Sequence, residues 1–101
     1  MADIPSLQAL FEDILESPNV YNDPPESVRM SYPAIKFVRS KIDNTFANDK
    51  VYKQDDRYDV IAIYRDPDDE LPRKISRLPR CVHDRHYISD NLHHDAFTLY
   101  Y

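Results

Sequence analysis

Leu7, Leu10, Phe11, Ile14 and Leu15 fall at i, i+3, i+4, i+7 and i+8, while Gln8, Glu12, Asp13 and Glu16 lie off that stripe. The spacing predicts an amphipathic helix of about ten to twelve residues. Ser6 or Asp3 is suited to cap its start, and Ser17 before Pro18 to end it, because a residue preceding proline is biased out of the α region. From Asn19 to Glu26 the chain is rich in Asn, Asp and Pro and reads as a linking loop. Tyr32 to Val38 is a short strand candidate whose Pro33 points to a sheet edge or a strand beginning. Ile42 to Lys50 reads as a polar excursion, with turn chemistry at Asn44, Asn48 and Asp49. Tyr58, Val60, Ala62 and Tyr64 alternate with Ile61 and Ile63, and apolar residues in both phases predict a central strand covered on two faces.

After Asp66-Pro67-Asp68-Asp69, Leu71, Ile75 and Leu78 recur at helical spacing, and Pro72 is tolerated in the first turn of such a helix. Pro79 ends it. Cys81 to Ile88 and Ala96 to Tyr101 follow as two strands joined by Ser89-Asp90-Asn91 and a polar segment. An apolar terminus such as Phe97-Thr98-Leu99-Tyr100-Tyr101 needs a sheet or a neighbour to hold it. The predicted order α-β-β-α-β-β defines a single α+β domain over residues 1–101. It has a small mixed or antiparallel sheet of about four strands, with two helices packed on it.

Composition narrows the chemistry. The 101 residues include no glycine, which excludes a phosphate-cradling P-loop, a dinucleotide fingerprint and a glycine-flanked nucleophile elbow. A net charge of −5 disfavours adherence to a nucleic-acid backbone. The single Cys81, the acidic stretch Met1 to Glu16 with no basic leader, and the lack of any run near 20 apolar residues predict a soluble cytosolic product without membrane contact.

Cys81, His83, His86, His93 and His94 crowd one segment and are residue types that zinc prefers. In a regular strand Cys81 and His83 share a face with Arg85 while His86 points away, so the set converges only with a bulge, although a paired strand could bring His93 or His94 alongside. This is the basis for one alternative, a small metal-dependent enzyme or nuclease. Against it, the set does not converge in a regular strand, the Asp66 to Glu70 acidic run lacks a Glu-x-Lys on a following strand, and Cys81 has no oxyanion-hole turn beside it. No catalytic residue, metal ligand or cofactor is therefore assigned. Eight tyrosines and no tryptophan favour interfaces instead, with Tyr32, Tyr52, Tyr87, His94, Tyr100 and Tyr101 as candidates. Asp55 and Asp56 read as a solvated turn before the central strand.

Several landmarks carry a family resemblance: Tyr32-Pro33-Ala34-Ile35, Phe46-Ala47-Asn48, Tyr58 through Ile63, Asp66-Pro67-Asp68, Leu78-Pro79-Arg80-Cys81, Asp84-Arg85-His86-Tyr87, and Asp90-Asn91-Leu92-His93-His94-Asp95 before Leu99-Tyr100-Tyr101. The run resembles small tail-completion proteins of tailed bacteriophages, and among them the tail terminators. That resemblance implies a non-enzymatic virion protein of the tail and neck, assembled in the host cytoplasm. Its subunits would form a homo-oligomeric, hexameric ring that caps the tail tube protein, stops its polymerisation and meets the head-closure or connector protein. Acidic residues toward the lumen, with Asp43, Asp49, Asp55 and Asp56 as candidates in the polar stretch Asp43 to Asp56, would keep passing DNA from adhering. A head-closure or neck adaptor of the same virion is the alternative role.

Overall fold

Leu7 and Phe11 are fully buried on the inner face of α1 (Ile4–Leu15), as their spacing requires. The computed structural model describes residues 4–25 and 29–101. Ser6 lies within the first turn of α1 and Asp3 lies outside the described residues. The helix ends where Glu16 turns left-handed (φ 57°) and the Ser17 N–H reaches back to the Glu12 carbonyl at 3.3 Å. That six-to-one bond closes the helix as a Schellman cap, with a glutamate where glycine is usual.

Five strands follow: β1 (Val20–Asn22), β2 (Ala34–Ala47), β3 (Lys50–Tyr64), β4 (Cys81–Ser89) and β5 (Leu92–Tyr100). A second helix, α2 (Leu71–Ser76), lies between β3 and β4. The sheet order is β1-β2-β3-β5-β4, with β1 parallel to β2 and the other pairs antiparallel. The fold is therefore α+β with a mixed sheet, as expected, but with five strands in the order α-β-β-β-α-β-β. The extra strand, β1, comes from the segment expected to be loop, where Val20 pairs with Ile35 and is buried. Pro33 immediately precedes β2, which has a neighbour on each side, so the proline marks a strand beginning and not an edge.

Both helices pack on one face of the sheet. Leu7, Phe11, Leu71 and Ile75 meet Ile35, Phe37, Tyr58, Val60, Phe97 and Leu99 in one buried cluster. Rings run through it, with Phe11 to Phe37 at 5.3 Å and Phe37 to Tyr58 at 6.1 Å. On the opposite face Ile63 is buried but Ile61 only half-buried, so β3 is central yet more thoroughly covered on its helix side. The start of α2 is set by Asp69, whose Oδ1 accepts from the Leu71 N–H at 2.9 Å.

The expected polar excursion is instead a ladder. β2 and β3 stay paired from Ala34↔Ile63 out to Ala47↔Lys50, with irregularities between Arg39 and Lys41 and between Thr45 and Phe46. The hairpin closes through Asn48 (φ 54°) and Asp49 (φ 62°), and the β4–β5 hairpin through Asp90 (φ 53°) and Asn91 (φ 62°). Positive φ at both central residues is the signature of two-residue type I′ turns. The polar segment expected after Asn91 is therefore already β5. Because the β2–β3 hairpin outruns its neighbours, the molecule measures 50 × 24 × 23 Å.

Candidate functional site

A register slip in the edge strand β4 builds the most concentrated chemistry on the molecule. His83 pairs with Phe97 and Arg85 with Ala96, leaving Asp84 unmatched. The extra residue resets the alternation, so His83 and His86 emerge on the same face. Asp84 turns to the other side, where its Oδ2 accepts from the Thr98 hydroxyl at 2.7 Å.

Asp95 lies between the two imidazoles. Its carboxylate is buried, and Oδ1 accepts from His83 Nε2 at 2.8 Å and from His86 Nδ1 at 3.1 Å. Oδ2 accepts from the Tyr64 hydroxyl. A carboxylate only accepts, so these contacts place the ring protons on His83 Nε2 and His86 Nδ1. His86 Nε2 then accepts from His93 Nδ1 at 3.4 Å, and His93 stacks on Tyr64 with ring centroids 5.4 Å apart. Burial alone would raise the Asp95 carboxyl, but hydrogen bonds from Tyr64, His83 and His86 outweigh it and hold the carboxyl below its ordinary value. Tyr64 is pushed well above the ordinary phenol range by burial first and by its bond to the carboxylate second.

This cluster flanks an open cleft of about 350 Å³ that α2 and the loop before it help to line through Asp69, Pro72, Arg73 and Ser76. Among the described residues, every fully buried side-chain nitrogen or oxygen has a hydrogen-bond partner. Among the described residues, no group of three or more His, Cys, Asp or Glu side chains is placed to hold a metal ion. Cys81 packs against the hydrophobic cluster, and burial, with Asp84 adding, pushes its thiol up to about 11. A thiol held protonated in this way is a poor nucleophile and a poor soft ligand at neutral pH.

The candidate interface residues separate into groups. Tyr87 and His94 are cross-strand partners on the face away from the helices, stacked at 4.8 Å, with the Arg85 guanidinium 4.9 Å from the Tyr87 ring. Tyr100 lies in the same strand phase as His94, with Arg80 5.5 Å from its ring. Tyr101 turns inward against the core, and its N–H bonds the Asp56 carbonyl at 3.0 Å. Tyr32 is half-buried before β2, and Tyr52 stands at the outer end of the hairpin, 76% exposed.

The four candidate acidic residues do not form one acidic surface. Asp56 is buried at the root of the hairpin, 3.9 Å from Arg39, so it is not part of a solvated turn. Asp55 is likewise in β3, bridged to Arg80 at 2.9 Å and to Lys53 at 3.6 Å, and the Arg80 hydrogen bond holds it below the usual carboxylate range. Asp43 pairs with Lys41 at 2.9 Å, and Asp49 sits in the turn.

Beyond its root the β2–β3 hairpin is an arm with no strand beside it among the described residues, since β1 pairs only as far as Phe37 and β5 only from Arg57 onward. It exposes Ile42, Phe46, Val51 and Tyr52, and the register puts Ile42 and the Phe46–Val51 pair on the helix-side face. Sequence reading missed two participants. Asp95 is in phase with the buried Phe97 and Leu99, and a carboxylate in that phase has to find donors, which was the available signal. Tyr64 carried no comparable mark.

No family model, no curated protein and no solved structure matches this chain. Among the described residues, no helix is long and apolar enough to cross a membrane.

Proposed function

We propose that this protein is a structural assembly subunit, the tail terminator of a tailed bacteriophage, which caps the tail tube as a ring of identical copies. The observation that carries the reading is the β2–β3 arm, a paired hairpin standing clear of the domain with Phe46 63% and Val51 53% exposed at its end. A long hairpin with apolar side chains and unpaired edges is an aggregation hazard for a monomer and an asset for a subunit that meets neighbours. The resemblance of the landmarks from Tyr32 to Tyr101 to tail terminators supports a place between tail tube and head connector. The histidine–carboxylate cluster fits a structural role, because its groups bond to one another and tie the edge strand β4 to β5 and β3. The acidic balance of −5 suits a channel through which DNA passes without adhering.

The test is electron microscopy of the protein mixed with tubes of a phage tail-tube protein. Rings seated at tube ends, and tubes of fixed length, are the expected result. Binding to the head connector with no binding to tube ends would make the protein a head-side adaptor. Binding to neither would overturn the reading.

A further inference from the structure

The arm has a complement on the same molecule. Where β3 leaves the domain, Leu10, Leu78, Pro79, Leu99 and Tyr101, with Arg80 on the rim, line an almost wholly apolar cleft of about 240 Å³. A cavity of roughly 150 Å³ lined by apolar groups already accepts a benzene ring, so the root cleft has room for a phenylalanine side chain.

A subunit's own Phe46 cannot fill it. The cleft is fixed beside the root pair Ile42↔Asp56, because Tyr101 bonds the Asp56 carbonyl and Arg80 bridges Asp55. Phe46 lies four residues farther out along the paired arm, about 13 Å at the usual strand rise. Bringing it back would break the pairing that makes the arm. Charge also matches the two surfaces: Asp49 sits in the turn next to Phe46 and Val51, and Arg77 immediately precedes Leu78 of the cleft. Among the described residues neither enters an ion pair.

We propose that the arm tip of one copy docks into the root cleft of the next, with Phe46 as the anchor and Asp49 meeting Arg77. The inference rests on the reading of the chain as a self-assembling subunit, though not on its place in a virion. Two different patches meet, so the contact is heterologous, and repeated copies close into a ring when the rotation permits and otherwise run on as a filament. An aromatic side chain in an apolar pocket, surrounded by weaker contacts, is the usual anatomy of an interface anchor.

The test uses the full chain. Benzoylphenylalanine in place of Phe46, irradiated in an equal mixture of light and heavy-nitrogen protein, should give mixed-isotope cross-links at residues 78–80 or 99–101. Sedimentation over a concentration series should show Phe46→Asp associating at least about tenfold more weakly than wild type. Thr45→Asp, on the opposite face of the arm, should associate as wild type does, with circular dichroism confirming that both variants fold. Cross-links confined to one chain or mapping elsewhere, equal association of Phe46→Asp, or wild type that stays monomeric at every concentration would each overturn the docking. Self-association that survives Phe46→Asp leaves the assembly reading standing while removing this contact, and tube-end binding by a protein monomeric alone does the same.

Discussion

His86 donates from Nδ1 to Asp95 Oδ1 at 3.1 Å because Asp84 is an extra residue in β4. Without the slip the two histidines of β4 would lie on opposite faces, and the buried carboxylate would keep Tyr64 and His83 but lose one donor. The bulge therefore does two things: it completes the hydrogen bonding of Asp95, and it interrupts the free edge of the sheet. An interrupted edge resists pairing with stray strands.

Removing the bulged Asp84 should leave His83 and His86 two residues apart in a regular strand, still on one face and still opposite Phe97 and Asp95. In wild type, long-range nitrogen–proton correlation spectra should find the neutral His83 ring protonated on Nε2 and the neutral His86 ring on Nδ1. The deletion variant should keep the Nδ1 tautomer at His86, whereas His86→Phe should cost about 1–3 kcal/mol of stability, the range for leaving a buried acceptor short of a donor. A wild-type His86 carrying its proton on Nε2 would contradict the arrangement.

Asp95→Asn should reduce stability by about 3 kcal/mol at neutral pH, since it removes the charge shared by three donors in a buried site. The pH dependence has a definite sign. Asp95 is held below the unfolded carboxyl value of about 3.9, so its contribution is full above that pH and is lost as pH falls through the lower, folded value. The gap between wild type and variant in urea midpoint should therefore be constant above about pH 4 and narrow below it. A gap unchanged down to acid unfolding would assign the effect to packing instead.

The parts of the fold legible in the sequence are those where one face is buried and the other is wet. α1, the core half of β3, α2 and the Asn48–Asp49 and Asp90–Asn91 turns all followed from local pattern. β1 did not, because the three residues Val20–Asn22 carry no period and gain strand geometry only by pairing with β2. The outer arm was missed for a related reason: it is exposed on both faces, so no alternation marks Lys41 to Lys53 as strand. At the site, the need for a bulge was visible in the Cys81, His83 and His86 spacing. Its presence was not, because the register of β4 is set by β5 and not by β4's own residues.

Among the described residues of a chain with no glycine, seven adopt positive φ, and five of these are Asn or Asp, which tolerate that region best. Glu16 and Arg80 are the exceptions. Glu16→Gly should relieve the left-handed strain at the end of α1 and stabilise by about 0.5–1 kcal/mol, even after the added freedom of the unfolded chain. For a domain of this size that corresponds to a melting temperature about 3–6 °C higher. Arg80→Gly should not stabilise in the same way, because it also removes the bridge to Asp55 at the arm root. Scanning calorimetry of the two variants separates these outcomes, and a destabilised Glu16→Gly would show that the glutamate side chain does more than occupy the position.

Cys81 provides a check on whether this part of the molecule is structural or reactive. Its thiol, raised to about 11 by burial and then by Asp84, has roughly a hundredfold less thiolate at pH 8 than a group at the ordinary value of 9.0. The higher basicity returns roughly a tenfold gain in nucleophilicity. The net expectation is iodoacetamide labelling at least about tenfold slower than for a free cysteine, rising with pH through 10 and released at once in urea. Cys81→Ala should then leave assembly intact and lower stability by about 1 kcal/mol, as removal of a small half-buried side chain does. Rapid labelling of the folded protein at pH 7 would instead mean that the strand opens there, and would return the cysteine and its neighbouring histidines to consideration as a reactive site.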